Sequence, residues 1–310
     1  MVLGFSQFVL QSPTAAAVTA GAGAWVAPVR AGNSVELRAG GSVLAVDATS
    51  GKLAYSASGK QLLAGGMPYF WRALTENDLG TGLNKTHTIW KQFSEERNVR
   101  SFDVLKDGVR IEYIFGAGSA RWDATYRMDS KGAVQVTATF APLRGDLPDP
   151  LRIGMRFDSN PSLDTVEWYG RGPQESYSDR ITGAALGRYS GKLADQYHNY
   201  IRPQESGNKT GVRWLTLKGA GNGLQLRGTQ PLSVNALPFP YEDLYPRPRG
   251  TWHSSDIRPH GDGSLLVDAV QTGVGGDTGW SQVGRPHTQY RVKLEPTTYQ
   301  FTITPQGAAQ

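Results

Sequence analysis

The sequence predicts an all-β fold, a large antiparallel β-sandwich, and two observations lead to this prediction. The first is composition: 38 glycines and 18 prolines accompany 13 tyrosines and 8 tryptophans, and Leu-rich helical runs are absent. Such a composition is typical of many strands that tight turns connect. The second is a period-two alternation of apolar and polar residues, clearest at 109–115, which indicates strands with one buried face.

The first 32 residues differ in pattern from the rest of the chain. Residues 1–11 hold one strand-like segment, and a single strand is not stable alone. Residues 12–32 are rich in Ala, Gly and Pro, which is typical of a linker. We therefore expect a terminal strand of a preceding domain at 1–11, a linker at 12–32 and one β-sandwich domain at 33–310. The alternative for the first segment is a disordered or strand-swapped arm.

The strands of the β-sandwich follow from Ser34 onward. Short strands come first, then a loop-rich section at 65–96, then longer strands that we expect to form two extensive sheets. Turns are expected at 40–41, 49–51 and 58–59. The predicted strands are 35–37, 43–46, 53–55, 62–63, 103–105, 109–115, 120–128, 133–140, 151–157, 165–169, 211–217, 223–227, 232–235, 264–271, 289–294 and 299–303.

Charge and cysteine content argue against several classes of function. The net charge is +5, but Lys and Arg are dispersed among acidic residues, which argues against nucleic-acid binding. The absence of cysteine excludes disulfides and Cys-based metal or nucleophile sites. No segment has the apolar length of a membrane span or the basic start of a signal peptide. The compartment stays open, with the cytoplasm favoured over the periplasm.

The histidines and the glycine-rich segment show no recognisable metal or phosphate site. The segment at 273–276 lacks the Lys and the following helix of a phosphate-binding loop. Metal binding by this chain is not expected, because no pair of histidines has ligand spacing. The five histidines of the chain are His87, His198, His253, His260 and His287.

The most informative segment is 272–281, where a strand-like run stops in a loop with four glycines, Asp277 and Trp280. Glycine at this density allows close backbone approach and a defined loop shape. An indole on such a loop is suited to bind the apolar face of a sugar. From the residues alone, the alternative is a Trp280 that plugs the end of the sandwich.

Four segments, in this order and spacing, resemble the C-terminal small-chain domain (domain 5) of bacterial family 2 β-galactosidases. That domain is a supersandwich with a galactose mutarotase-like fold, so the resemblance implies the same fold here. It also implies that 1–11 ends an immunoglobulin-like domain. The segments are FWRALTENDLG at 70–80, WYGRGPQESYSDR at 168–180, YIRPQESGN at 200–208 and TGVGGDTGWS at 272–281.

The resemblance implies a non-catalytic part of an enzyme that hydrolyses terminal β-D-galactosides such as lactose. Retaining hydrolysis requires two carboxylates about 5–5.5 Å apart. In this family both acids and the Mg and Na sites belong to a catalytic barrel, so no Asp or Glu of this chain is expected to be catalytic. The implied partners are that barrel domain or large chain and a galactoside, in a complete enzyme that is an oligomer. We expect the chain alone to be inactive.

By resemblance, Trp280 stacks on the sugar, and Gly80, Thr81 and Gly82 begin a mobile loop over the active site. The alternative for residues 80–82 is an ordinary surface loop without a role in the reaction.

Two PQE segments have a different character. Gln174 and Glu175, like Gln204 and Glu205, combine an amide and an acid beside an arginine, and could form a polar cleft for sugar hydroxyls. Groups of this kind more often form buried hydrogen-bonded networks, and we favour that structural role.

Two other functions remain open on the sequence. One is a freestanding carbohydrate-binding module. The other is an aldose mutarotase or epimerase, which rests on the analogy of fold alone.

Overall fold

The computed structural model describes residues 7, 24–245 and 253–307. Sixteen strands and three helices lie within these residues. The strands are β1 Val29–Ala31, β2 Ser34–Ala39, β3 Ser42–Asp47, β4 Leu53–Ala57, β5 Lys60–Tyr69, β6 Asn98–Leu105, β7 Gly108–Phe115, β8 Ala120–Met128, β9 Val134–Pro142, β10 Arg152–Ser159, β11 Thr165–Gly172, β12 Ala185–Lys192, β13 Lys209–Gly219, β14 Asn222–Leu237, β15 Gly263–Gln271 and β16 Thr297–Gly307. The helices are α1 Glu76–Gly80, α2 Leu83–Thr86 and α3 Thr88–Glu95.

The strands of the described residues hydrogen-bond into one sheet, and every pairing between them is antiparallel. The main path is β1-β2-β3-β4-β5-β10-β15-β14-β16-β9-β8-β7-β6. Strand β13 joins this path at β14 and continues to β11 and β12. The predicted all-β antiparallel fold is confirmed. Its two layers are parts of one sheet that curls over on itself, rather than two separate sheets.

An aromatic core fills the space between the layers. The ring of Phe70, directly after β5, lies 5.3 Å from the ring of Phe115 in β7 and 5.3 Å from that of Phe140 in β9. The Tyr55 hydroxyl in β4 donates to the carbonyl of Gly132 over 3.1 Å. The early strands therefore lie over β7–β9, because the alternating apolar faces of both layers are buried against each other.

Strand β14 corrects the prediction of two strands at 223–227 and 232–235. Its first half pairs with β16, its second half pairs with β15, and β13 lies along its other side. The change of partner occurs near Gly228, where a Cβ would overlap the carbonyl oxygen of Gln230. A glycine inside a strand allows such a close approach of the backbone, so one continuous strand can serve two neighbours.

The section at 65–96 was predicted as loops, and this prediction is wrong, because β5 continues to Tyr69 and three helices follow. The helices have five, four and eight residues, which is too short for a clear helical period. The start of α1 did have a local signal. Thr75 and Asp78 form a capping box, in which each side chain accepts from the backbone N–H of the other.

Two further strand predictions are corrected. Residues 289–294 hold a 3₁₀ turn at Thr288–Tyr290 and no strand, since six residues carry too few positions to define an alternation. Strand β12 was missed because its residues are half-buried or exposed, so no apolar alternation marks it.

The N-terminal predictions lie mostly outside the described residues. This applies to 1–11, apart from Gln7, and to 12–23 of the expected linker. Within 24–32, Trp25 forms a bridge with Asp129, and β1 pairs with β2. The division into domains stays a prediction. Among the described residues, no helix has the length and apolar character needed for a membrane span.

Candidate functional site

The fold brings two of the predicted site segments into contact. One is the Trp280 loop, which we define as residues 272–285, and the other is the Gly80 turn, residues 80–82. The backbone N–H of Ser281 donates to the carbonyl of Gly80 over 3.2 Å. The two segments therefore form one surface, although they lie far apart in the sequence.

Two amide side chains add to this contact. Nδ2 of Asn77, in α1, donates to the carbonyl of Thr278 over 3.0 Å and to that of Gly284 over 3.1 Å. Nε2 of Gln282 donates to the carbonyl of Thr81 over 3.2 Å. Because these bonds run in both directions between helix and loop, the position of the Trp280 loop depends on α1.

Gly80 packs directly against the backbone of the Trp280 loop. A Cβ at this position would overlap the carbonyl oxygen of Gly279 and would lie 3.0 Å from the Cα of Trp280. Gly82 has a positive φ of 78°, in the region that favours glycine, and nothing lies near its missing Cβ. Glycine is therefore favoured at the two positions for different reasons: the close approach of the Trp280 loop at Gly80, and the positive φ at Gly82.

The indole of Trp280 is a surface feature, with 73% of the residue exposed to solvent. By contrast, Trp90, Trp122 and Trp168 are among the largest fully buried side chains. Trp280 therefore does not plug the sandwich. The loop turns sharply after it, because Ser281 has a φ of +68°, a conformation uncommon for residues other than glycine.

Asp179 holds the start of the Trp280 loop. Its Oδ2 accepts from the backbone N–H of Val274 over 2.8 Å and from that of Gly275 over 2.9 Å. A Cβ on Gly273 would overlap the same carboxylate. The segment at 168–180 is thus joined to the loop at 272–281, and glycine is required where the two meet.

A buried ion pair joins the segment at 70–80 to the loop. Arg72 donates from Nε and Nη2 to the two carboxylate oxygens of Asp78 over 2.9 Å and 2.8 Å, and both side chains are buried. Nη1 of Arg72 donates to the carbonyl of Thr272 over 3.0 Å. Burial is the largest influence on the pKa of Arg72 and lowers it, but the charge and hydrogen bonds of Asp78 together with the nearby charge of Glu205 outweigh burial and raise the pKa above its ordinary value. Arg72 therefore keeps its charge, and its bonds to Asp78 and Thr272 fix the end of β15 relative to α1.

Asp149 ties the far end of the Trp280 loop to the residue between α2 and α3. It accepts from Nη2 of Arg285 over 2.9 Å and 2.8 Å, and Nε2 of His87 lies 3.4 Å away. Burial raises the pKa of Asp149, but the hydrogen bonds from His87 and Arg285 outweigh it and lower the pKa to about 2. Asp149 is therefore a carboxylate at neutral pH.

Glu175 lies in a mostly buried network. Its Oε2 accepts from the backbone N–H of Gly207 over 2.8 Å, and its Oε1 accepts from Arg180 over 2.5 Å and from the hydroxyl of Tyr200. Gln174, its neighbour, is exposed. The carboxylate is thus occupied by contacts within the chain.

Glu205 is fully enclosed, with its side chain 0% exposed. It accepts from Nδ2 of Asn235 over 3.1 Å and from the hydroxyl of Tyr241, and Nη2 of Arg152 lies 3.4 Å away. Gln204 lies nearer the surface, where its Oε1 accepts from the backbone N–H of Glu76 over 3.1 Å. Such an arrangement locks the segment at 200–208 to the sheet and to the start of α1.

Sequence reasoning selected Trp280 and the Gly80 turn but missed the residues that position them. These are Arg72, Asn77, Asp78 and Asp149. Only Asp78 had a local signal, as the last residue of the capping box. The other contacts join segments distant in the sequence, and no local pattern marks them. Among the described residues, no group of three or more His, Asp or Glu is arranged to hold a metal ion.

Comparisons with known proteins cover most of the chain. A family model described as beta galactosidase small chain matches residues 38–303. The β-galactosidase of Priestia megaterium (strain DSM 319 / IMG 1521) is 35% identical over 262 residues, which are 82% of this chain and 24% of that protein. The β-galactosidase of Lactobacillus delbrueckii subsp. bulgaricus is 32% identical over 225 residues, 70% of this chain and 21% of that protein. The chain thus spans about a quarter of the length of these curated relatives.

Among solved structures, the chain is similar to a galactose 1-epimerase from Lactobacillus acidophilus NCFM. The identity is 8% and the TM-score is 0.49, over 92% of this chain and 98% of that one.

Proposed function

Because this chain belongs to the β-galactosidase small-chain family, as its four motifs predicted, we propose that it is the non-catalytic C-terminal domain or small subunit of a β-galactosidase. The complete enzyme would hydrolyse terminal β-D-galactosides. The relatives are about four to five times as long as the matched segment, which supports a larger partner domain or chain that carries the catalytic barrel. We expect the complete enzyme to be an oligomer.

The observation that carries this proposal is the exposed indole of Trp280 on a loop that the fold holds in place. A pyranose has an apolar C–H face, and an indole offers a flat apolar surface of matching size. The loop is held by Asp179, by Asp149 and by the Gly80 turn. A side chain presented in this way is available to line a sugar site that another domain completes.

In this proposal, the reacting groups belong to another domain or chain of the enzyme. Retaining hydrolysis needs one carboxylate as nucleophile and one as acid/base, about 5–5.5 Å apart across the anomeric carbon. Glu175 and Glu205 are occupied by hydrogen bonds within the chain, which supports structural roles for both. The barrel would supply the two acids together with the Mg and Na sites.

The Gly80 turn is proposed to begin a mobile loop over the active site. Its movement would break the hydrogen bond from Ser281 to Gly80, because the Trp280 loop is held by Asp179 and Asp149. Short turns with glycines can absorb the change in φ and ψ that such gating requires.

Changing Gly80 to Ala is expected to raise the KM for lactose in the complete enzyme. The new Cβ would overlap the carbonyl oxygen of Gly279 and push the Trp280 loop outward. Because the loop lies at the surface and can yield, we expect an increase of roughly fivefold, or about 1 kcal/mol. Steady-state kinetics on lactose measure the change.

The matched control is Gly279→Ala, one residue before Trp280. Nothing lies within 4 Å of the position of its missing Cβ, so this change should leave the KM nearly as it was. Equal effects of the two substitutions would contradict the proposed contact.

A chromogenic β-galactoside tests whether catalysis requires the barrel domain. The purified chain should show no turnover, and turnover should appear when it is combined with a barrel-bearing large chain. Turnover by the chain alone would overturn the proposal. Tight binding of lactose without restored turnover would favour a carbohydrate-binding module, and catalysed mutarotation of galactose in a polarimeter would favour a mutarotase.

A further inference from the structure

A concave site separate from the Trp280 loop lies between the first half of the sheet and α3. It is a cleft of about 540 Å³, and none of its lining residues belongs to the Trp280 loop or the Gly80 turn. This volume is within the range of small-molecule sites. We name it the β5–α3 cleft and define it by Tyr69, Trp71, Arg97, Arg156, Asp158 and Glu242.

Aromatic rings line part of this cleft. The rings of Tyr69 and Tyr241 lie 5.8 Å apart and nearly perpendicular. The guanidinium carbon of Arg156 lies 5.7 Å from the Tyr69 ring centre and 5.9 Å from that of Tyr241. Both tyrosines are largely buried, at 7% and 2% exposure, so the rings hold the charged group in position by cation–π contacts and offer the cleft little open surface.

Trp71 adds a donor without a partner. The residue is 4% exposed, and its buried Nε1 makes no hydrogen bond within the part of the chain that the structure describes. A buried N–H without a partner is costly, and buried polar groups are rarely left in this state. Because this nitrogen is covered by the protein, an ordered water is the acceptor that can reach it.

Arg97 is a second donor with free capacity. Its Nε donates to the carbonyl of Pro68 over 3.3 Å, and no carboxylate of the described residues forms an ion pair with it. Burial lowers the pKa of Arg97, because the nearby charge of Glu95 offsets the removal from water only in part. Its remaining N–H groups can donate to a ligand.

The acceptors of the cleft are Asp158 and Glu242. Glu242 pairs with Arg156 through both carboxylate oxygens, one of them 2.6 Å from Nη2. Asp158 lies 3.6 Å from Arg156, and its side chain is 46% exposed. Burial raises the pKa of Asp158. Each carboxylate keeps lone pairs that a ligand hydroxyl could reach.

The positive and negative charges of the lining nearly balance, so the lining favours neither an anionic nor a cationic ligand. An anionic ligand would meet three carboxylates, and a cationic ligand would meet four cations. Hydroxyl groups both donate and accept, so a polyhydroxylated ligand satisfies both sets, while its C–H groups contact the apolar part of the lining. The charged residues of the lining are Lys52, Lys91, Arg97 and Arg156, with Glu95, Asp158 and Glu242.

We propose that the β5–α3 cleft is a second carbohydrate site, which binds an uncharged sugar independently of the Trp280 loop. Arg97 donates to the sugar hydroxyls, Asp158 and Glu242 accept from them, and the apolar part of the lining contacts the C–H groups. This goes beyond the proposed function, because the site requires no catalytic barrel.

The proposal is tested on the full chain carrying Trp280→Ala, so that any sugar bound at the Trp280 loop is removed from the signal. Saturation-transfer NMR measures binding of D-galactose, D-glucose, D-galacturonate and D-galactosamine. We expect at least one uncharged sugar to bind, and to bind more tightly than both the acid and the amine. Binding of neither uncharged sugar, or a preference for a charged one, would overturn the proposal.

The contribution of Arg97 to sugar binding is tested with the variant Arg97→Met, and Arg100→Met is the matched control. Arg100 is close in sequence and pairs with Glu112 outside the cleft, and its side chain is 64% exposed. Arg97→Met should weaken sugar binding roughly tenfold, and Arg100→Met should leave it unchanged. Equal affinity in the two variants would refute the site. If Arg97→Met does not fold, Asp158→Asn provides the same comparison, with weaker binding expected.

Discussion

Asp78→Ala is expected to lower the free energy of unfolding by about 3–5 kcal/mol, because it leaves a buried arginine without its counter-charge. Arg72 and Asp78 have side chains that are 0% and 1% exposed, and two hydrogen bonds join them. The change also removes the acceptor for the backbone N–H of Thr75 at the start of α1. Denaturant unfolding of the unchanged chain and of Asp78→Ala measures the difference in the free energy of unfolding, provided that the two m-values are equal.

A surface pair of the same chemistry provides the control. Arg144 binds both carboxylate oxygens of Asp146, with side chains 58% and 63% exposed. Asp146→Ala should leave the stability nearly unchanged, because water solvates both charges once the pair is broken. Equal losses for Asp78→Ala and Asp146→Ala would show that burial does not govern the strength of these pairs.

The double variant Arg72→Met with Asp78→Leu separates the charge from the packing. Replacing both members of a buried pair by apolar residues often restores stability. We expect the double variant to be more stable than Asp78→Ala alone. A double variant of still lower stability would mean that the hydrogen bond from Arg72 to Thr272, rather than the unpaired charge, dominates the loss.

Trp280→Ala is expected to raise the KM for lactose roughly ten- to thirtyfold in the complete enzyme. One indole face covers about 60–80 Å² of a sugar, which corresponds to about 1.5–2 kcal/mol at 25 cal/mol per Å². Because the indole would contact the sugar in both the bound substrate and the transition state, the effect should fall mainly on the KM. Steady-state kinetics with lactose provide the measurement.

The same variant should unfold at the same denaturant concentration as the unchanged chain, since Trp280 is 73% exposed. Trp280→Phe should recover part of the affinity, because it keeps a flat apolar face. Val104→Ala, on the edge strand β6, removes another exposed apolar side chain and should leave the kinetics unaltered. An unchanged KM in Trp280→Ala would remove the proposed sugar contact.

Much of the fold could be predicted because strands with one buried face carry their pattern in every second residue. Strands β3, β4, β8 and β9 alternate buried and half-buried positions as expected. Strand β12 could not be predicted, since it lies at an edge with no buried residue. Short helices such as α1 and α2 were missed because tertiary contacts, rather than helical period, stabilise them.

The candidate site was only partly predictable. The order of four motifs was enough to select Trp280 and the Gly80 turn, but it could not say whether the indole was exposed. The β5–α3 cleft had no sequence signal. Its lining comes from β5, from residues around α3, from β10 and from the segment at 241–245, and these meet only after the sheet has formed.

The sequence by itself determined the strand-rich class, most of the strand positions and the family, because alternation and ordered motifs are local properties of the chain. The tertiary structure alone decided that the strands join in one curled sheet. It also decided that Gly80 meets the backbone at Trp280, and that Arg72 and Asp78 are buried together beside Thr272. These contacts depend on how the sheet curls, since that curvature sets which distant segments share an edge.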